Sequence, residues 1–380
     1  MNILFITDTD ISPLDGGVER VTQNLAVEFR NRNINPYLAF VEEIITPPSQ
    51  DFVDKIQLKG KNWDNLLLNY LINNDIRFIV ASIMKKNNIK NILPRVYQIT
   101  RNINCKLFFC YHNMPGYERY GNQFLVRLLN KLGLSFAISK LISRKLRYGL
   151  FSDKIILLSK EYIPVYQKII GKQMNEKFGF VPNALTFKEI ADESILKTKE
   201  KEVLIVARFD ESQKRLSLAL KIWQQIEASH QFNDWMLKIV GGGGEEKKLK
   251  QLAQKLQLKN ISFEGKQNPI EYYRKAPIFM MTSAFEGFPM TIGEAQQNGC
   301  VPIAFNSFAA ITDLITHKQN GIIVNNSNTG EYVNALKELI QNKEERERLA
   351  RNGLKSCERY KNEIITNEWM NLFNSFQNEL

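Results

Sequence analysis

The chain has 380 residues, 44% of them apolar, and a net charge of +11. That length suits two domain cores better than one, and the apolar share is ordinary for a globular protein. Four cysteines without a Cys-x-x-Cys pair and three scattered histidines exclude a Cys/His metal site and fit buried, reduced thiols in a cytosolic setting.

The amino terminus, Met1 to Thr7, lacks the basic region and long apolar stretch of a signal peptide. No run reaches the ~18 apolar residues of a membrane span. Short apolar runs rich in Ile, Val and Phe predict strands at Asn2–Ile6, Pro36–Val41, Lys106–Tyr111, Lys154–Leu158 and Phe178–Val181. Helical patterns fall at Val18–Arg30 and Phe124–Leu150. Residues 63–104 are the least legible, and 76–82 read equally as strand or helix. The second half predicts strands at Glu202–Ala207, Met236–Val240, Ile261–Phe263, Ile278–Thr282, Val301–Ala304 and Gly321–Val324. Strands separated by helices imply parallel sheets covered on both faces. The expectation is therefore an α/β chain of two Rossmann-like domains, 1–184 and 185–360, hinged near Pro182–Leu185, with a final helix over 361–380.

In open α/β sheets, ligands bind beyond the carboxyl ends of the strands, and the distinctive segments follow strands. After the first comes Asp8 to Arg20, where Gly16 and Gly17 let backbone approach a ligand at a helix start. His112 ends the Lys106–Tyr111 strand. From Arg119 to Ser152 the chain carries seven basic residues and no acidic one. Arg127, Lys131, Lys140, Arg144, Lys145 and Arg147 interleave with apolar residues there. The stretch reads either as an amphipathic element drawn to an anionic membrane surface or as a core helix with a solvated basic face. Nothing resembles a nucleic-acid module, so nucleic acid is not an expected partner.

After Glu202–Ala207 come Arg208 and Lys214, the planar fork and compact charge that suit a diphosphate, with Arg215 a neighbouring candidate. Gly241–Gly244 lacks dinucleotide spacing and reads as a flexible rim. After Ile278–Thr282 comes Ser-Ala-Phe-Glu-Gly-Phe-Pro-Met-Thr-Ile-Gly-Glu-Ala, residues 283–295. Glu286 lies on the loop, Pro289 suits the first turn of the next helix, and Glu294 follows in its opening turns. The N–H groups of Met290, Thr291 and Ile292 would point outward as an anion site. Carboxylates on either side can accept hydrogen bonds from hydroxyls.

This last segment resembles the Glu-x7-Glu signature of retaining glycosyltransferases of family 4, which have the GT-B fold. The resemblance is specific over about 203–324, weaker in 1–20 and 106–183, and absent from the middle of the first half. It implies two Rossmann-like domains with parallel sheets facing across a cleft. By resemblance Glu286 lies beside the transferred sugar, Glu294 binds the ribose, and the Gly287-Phe288-Pro289 backbone runs along the sugar hydroxyls. Arg208 and Lys214 grip the leaving pyrophosphate. Gly16 and Gly17 meet the donor phosphates, and His112 lies beside the donor sugar.

The expected donor is UDP- or GDP-linked, and the acceptor a glycan or lipid-linked molecule of cell-surface polysaccharide synthesis. Neither cofactor nor metal is expected. Asp8-Thr9-Asp10 looks like the metal motif of the other large glycosyltransferase fold but reads here as turn carboxylates. The setting is cytoplasmic, at most peripheral on the inner face of the membrane. Rival readings are a sugar-nucleotide epimerase on a similar fold and a non-catalytic surface-binding protein.

Overall fold

The computed structural model describes all residues except 13–15, 44–48, 84, 114–147, 171–175, 230 and 378–380. The chain divides into two compact units, Met1–Thr186 with Tyr360–Leu380, and Phe187–Arg359. Each is built on one parallel sheet, as the alternation of strand and helix predicts.

In the first unit the strands are β1 (Asn2–Thr9), β2 (Asn35–Glu42), β3 (Lys55–Gln57), β4 (Ile76–Ser82), β5 (Lys106–Tyr111), β6 (Lys154–Leu157) and β7 (Phe178–Phe180). They lie in the order β3-β2-β1-β4-β5-β6-β7, with every neighbouring pair parallel. The ambiguous residues 76–82 form β4, between helices Trp63–Asn73 and Lys86–Arg101. Apart from Arg77 the strand is buried throughout, so its apolar residues do not alternate. That is why periodicity alone cannot distinguish it from a buried helix.

The second unit contains β8 (Glu202–Val206), β9 (Met236–Val240), β10 (Ile261–Gly265), β11 (Ile278–Met281), β12 (Val301–Asn306) and β13 (Ile322–Asn325). Their order is β10-β9-β8-β11-β12-β13, again all parallel. Around this sheet Trp223, Tyr332, Phe305 and the aliphatic residues of the strands form one core. Tyr332 keeps its hydroxyl satisfied inside that core by donating to the Ile303 carbonyl at 2.7 Å.

The last helix, Asn362–Gln377, belongs to the first unit. Trp369, Phe373 and Phe376 are buried on one stripe of it. Phe373 is fully buried, with ring centroids 4.7 Å from Phe78, 5.5 Å from Phe108, 5.6 Å from Trp369 and 6.1 Å from Phe29. The chain's exit from this unit and its return are joined, because the Leu185 N–H donates to the Tyr360 carbonyl at 2.8 Å. Phe373→Ala is expected to cost the first unit about 3–5 kcal/mol in urea unfolding, through lost burial and a residual cavity. Glu368→Ala, on the exposed face of the same helix, should stay within about 0.5 kcal/mol of the parent.

Candidate active site

Strand order reverses beside β8, since the chain first adds β9 and β10 on one side and then β11 to β13 on the other. At such a switch point the loops leaving adjacent strands diverge and open a crevice at the carboxyl edge of the sheet. The loops following β8 and β11 carry Arg208 and Lys214, and Glu286, respectively.

The two loops are joined by hydrogen bonds. Thr282 Oγ1 donates to the carbonyls of Lys214 (2.8 Å) and Arg215 (3.1 Å), and the Ala284 N–H donates to the Gln213 carbonyl at 2.7 Å. Gln213 Nε2 donates to Glu286 Oε2 (3.1 Å) and to the Phe285 carbonyl (3.3 Å). Lys214 Nζ completes the junction 2.5 Å from Glu286 Oε1, with the two side chains only 17% and 9% exposed. Both carboxylate oxygens of Glu286 are thus engaged and largely screened from water, which strengthens the charge interaction.

The local backbone explains how Lys214 turns inward. Asp210 caps the short helix Glu211–Lys214 by accepting from the Gln213 N–H, and Arg215 breaks it in the left-handed region at φ 49° before Leu216–Glu227 begins. Arg215 is not aimed as a neighbouring phosphate ligand. Its Nε and Nη2 donate to the Thr282 and Ser283 carbonyls at 2.6 and 2.8 Å, and its guanidinium lies over the Phe305 ring. Arg208 is exposed, and its Nη2 donates to Asp210 Oδ2 at 3.1 Å and Gln213 Oε1 at 3.2 Å.

The helix Met290–Gln297 begins one residue later than expected. Pro289 is its N-cap rather than a first-turn residue, and no side chain caps the start. The Ile292 N–H donates to the Pro289 carbonyl at 3.1 Å, so it is not the outward donor expected of it. Phe288 and Pro289 are buried, and Gly287, Met290 and Thr291 are half-buried. Glu294 is 1% exposed and accepts from the Tyr273 hydroxyl at 2.9 Å. Neither Gln213 nor Tyr273 had a motif to mark it.

Within Gly241–Gly244, Gly241 and Gly243 are close-packing positions, whereas a Cβ on Gly242 or Gly244 would meet no close neighbour. Gly241 has φ +138°, and a Cβ there would lie 1.8 Å from the Ala207 carbonyl oxygen. Only glycine lets β9 exit so close to the loop that bears Arg208. A void of about 500 Å³ lies at the opposite, amino-terminal edge of this sheet, beside Lys201, Trp235, Pro277 and Arg346. On its rim Lys201 pairs with Asp234, and the void shares no residue with the switch-point site.

In the first unit Gly16 is the N-cap of helix Gly17–Asn31, and both glycines are exposed. Because β1 runs through Thr9, Asp8 and Thr9 are strand residues rather than turn residues. Asp8 accepts from the Lys85 N–H (2.8 Å) and Asn88 Nδ2 (2.7 Å), and Asp10 pairs with Lys55 at 2.8 Å. Among the described residues no acidic, His or Cys cluster could hold a metal ion. The basic residues Arg127, Lys131, Lys140, Arg144, Lys145 and Arg147 lie outside the described residues.

His112 follows β5, with Nε2 3.1 Å from Ser82 Oγ, while its buried Nδ1 has no hydrogen-bond partner among the described residues. It borders a cavity of about 20 Å³ shared with Thr22, Ser82 and Cys110, room for roughly one water. Burial pushes the imidazole pKa down to about 4.

Residues 186–356 match the family model described as Glycosyl transferases group 1. A Haemophilus influenzae protein named as an uncharacterized glycosyltransferase is 32% identical over 57% of this chain and 60% of its own length. The amylovoran biosynthesis glycosyltransferase AmsD of Erwinia amylovora is 27% identical over 48% of this chain and 50% of its own. The chain thus spans about half to three fifths of the length of these curated relatives. Among solved structures, Anabaena HepE in complex with UDP is similar in fold, with a TM-score of 0.75 and 16% identity over 99% of this chain and 100% of that one.

The half-buried His112 imidazole has a consequence for stability. The unfolded chain takes up its proton near pH 6.5, the folded chain only near 4. The unfolded state therefore binds more protons between those values, and stability present above pH 6.5 is lost as pH falls towards 4. Urea unfolding between pH 7 and 4 should show this fall, and His112→Asn should reduce its slope.

Proposed function

We propose that this chain is a retaining, metal-independent glycosyltransferase of family 4 that moves a sugar from a nucleotide-sugar donor to a glycan or lipid-linked acceptor. The observation that carries the reading is the Lys214–Glu286 pair at the β8/β11 switch point, beside the helix start at Met290 that no side chain caps. The family-model match over the same unit supports it.

The arrangement suggests how such a site would act. Diphosphate oxygens arriving there would draw Lys214 from Glu286, while Arg208 offers a second, exposed cation. The Met290 and Thr291 N–H groups and the helix dipole add to the positive potential. Charge developing on the leaving diphosphate is thereby stabilised by groups already held in place. Glu286, relieved of Lys214, would accept hydrogen bonds from sugar hydroxyls, with the Gly287–Pro289 backbone alongside. Glu294 is assigned the ribose. The acceptor hydroxyl would attack from the face the diphosphate leaves, with a phosphate oxygen taking its proton, so the anomeric configuration is kept.

UDP-sugars are the donors to test first, because HepE is described in complex with UDP. AmsD's name in amylovoran biosynthesis favours a polysaccharide acceptor. No helix among the described residues is long and apolar enough to cross a membrane. The basic stretch Arg119–Ser152 is proposed to meet anionic lipid, placing the enzyme at the cytoplasmic face.

A panel of UDP- and GDP-sugars with glycan and lipid-linked acceptors, read by mass spectrometry, tests the activity. Arg208→Ala and Lys214→Ala should each lower kcat at saturating donor by about two to three orders of magnitude. Wild-type rates in both variants would overturn the diphosphate assignment. Transfer should survive excess EDTA, and NMR of the product should show the anomeric configuration of the donor. Loss of activity in chelator with rescue by Mg²⁺ or Mn²⁺ would return Asp8 and Asp10 to consideration as ligands.

A further inference from the structure

We propose that Arg215 is a positioning residue whose guanidinium fixes the loop bearing Glu286 against the loop bearing Lys214, an inference that rests on the function proposed above. Arg215 occupies a left-handed conformation at φ 49°, which glycine adopts freely and a residue with a side chain adopts at steric cost. Its long cation is directed into the structure. Nε and Nη2 donate to the consecutive carbonyls of Thr282 and Ser283 at 2.6 and 2.8 Å, and Ser283 shares its carbonyl with Ser307 Oγ at 2.6 Å. The guanidinium carbon stands 5.2 Å from the centre of the Phe305 ring, and Asn326 Oδ1 is 3.4 Å from Nη1 and Nη2.

One side chain thus reaches residues at the carboxyl ends of β11, β12 and β13 from the loop that follows β8. Thr282 Oγ1 returns the contact by donating to the Lys214 and Arg215 carbonyls. Glu286 lies four residues beyond Thr282, and Lys214 directly precedes Arg215. The fork therefore sets the separation of the two groups to which the proposal gives the sugar and the diphosphate. A lysine could not replace it, because two parallel donors in one plane are needed to engage consecutive carbonyls.

The test compares Arg215→Gly, Arg215→Lys and Arg208→Ala with the wild type. Three quantities are measured: the melting temperature, amide hydrogen exchange over residues 203–206 and 283–288, and calorimetric affinity for UDP and GDP. Arg215→Gly relaxes the left-handed backbone, which offsets part of the loss of its hydrogen bonds, so it should fold cooperatively with a melting temperature within a few degrees, ~5 °C, of the wild type. Its Ala284 amide, bonded to the Gln213 carbonyl, should exchange about tenfold faster or more, with β8 unchanged. Affinity for the nucleoside diphosphate should fall about tenfold.

Arg215→Lys should match Arg215→Gly in exchange. Arg208→Ala should lose affinity with wild-type exchange. Wild-type exchange at 283–288 in both Arg215 variants would overturn the proposal. So would faster exchange spread across the whole second unit, which would make the residue a general stabiliser. If the wild-type protein binds neither diphosphate, the glycosyltransferase reading fails, while local exchange still decides whether Arg215 holds the two loops together.

Discussion

An ammonium and a carboxylate, Lys214 and Glu286, meet 2.5 Å apart with little access to water, and the geometry around them follows from that meeting. Removing two charges from water carries a desolvation cost that attraction repays only when the remaining hydrogen-bonding capacity is met. Here it is met on the acid side by Gln213, which binds the second oxygen of Glu286. The pair can exist only because β8 and β11 are neighbours at the reversal of strand order. The topology supplies the proximity, and the hydrogen bonds of Thr282, Ala284 and Gln213 turn proximity into fixed geometry.

The helix that carries Glu294 is supported in a related way, with buried polar groups answered by backbone carbonyls and one another. Lys199 is half-buried, and its Nζ donates to the carbonyls of Tyr273, Ala276 and Asn298 at 2.9, 3.0 and 2.5 Å. Burial lowers its pKa, while the Cys300 thiol beside it acts in the opposite sense. Tyr273, whose carbonyl Lys199 holds, gives its hydroxyl to Glu294. A chain of contacts thus runs from Lys199 through Tyr273 to the second glutamate of the motif. Its carboxylate is oriented from beneath the helix as well as by its place in the sequence.

The first unit uses the carboxyl edge of its sheet differently. Asp8 and Asp10 are tied to Lys85, Asn88 and Lys55, so these acids brace the loops leaving β1 and β4. His112 is held by Ser82 in surroundings where the neutral ring is favoured. These groups are placed by packing within a single parallel sheet, and their polarity is met largely by residues of adjacent connections.

Two parallel sheets, most strand positions and the acids and bases at strand ends were legible from the chain itself. Such features follow from local apolar runs, helix-period patterns and the rule that ligands lie beyond parallel strands. Strand β3 was missed because Lys-Ile-Gln is too short and polar to stand out, and β4 stayed undecided between strand and helix because burial on both faces erased alternation. Tertiary structure decided which of two adjacent cations, Lys214 or Arg215, faces the glutamate, since a single left-handed residue rotates one inward and sends the other to Thr282 and Ser283. It also brought in Gln213 and Tyr273, which lie 73 and 21 residues from the acids they hold. Sequence period encodes which face of an element is buried. Partnership across such separations depends on strand order and loop crossing, which no local pattern contains.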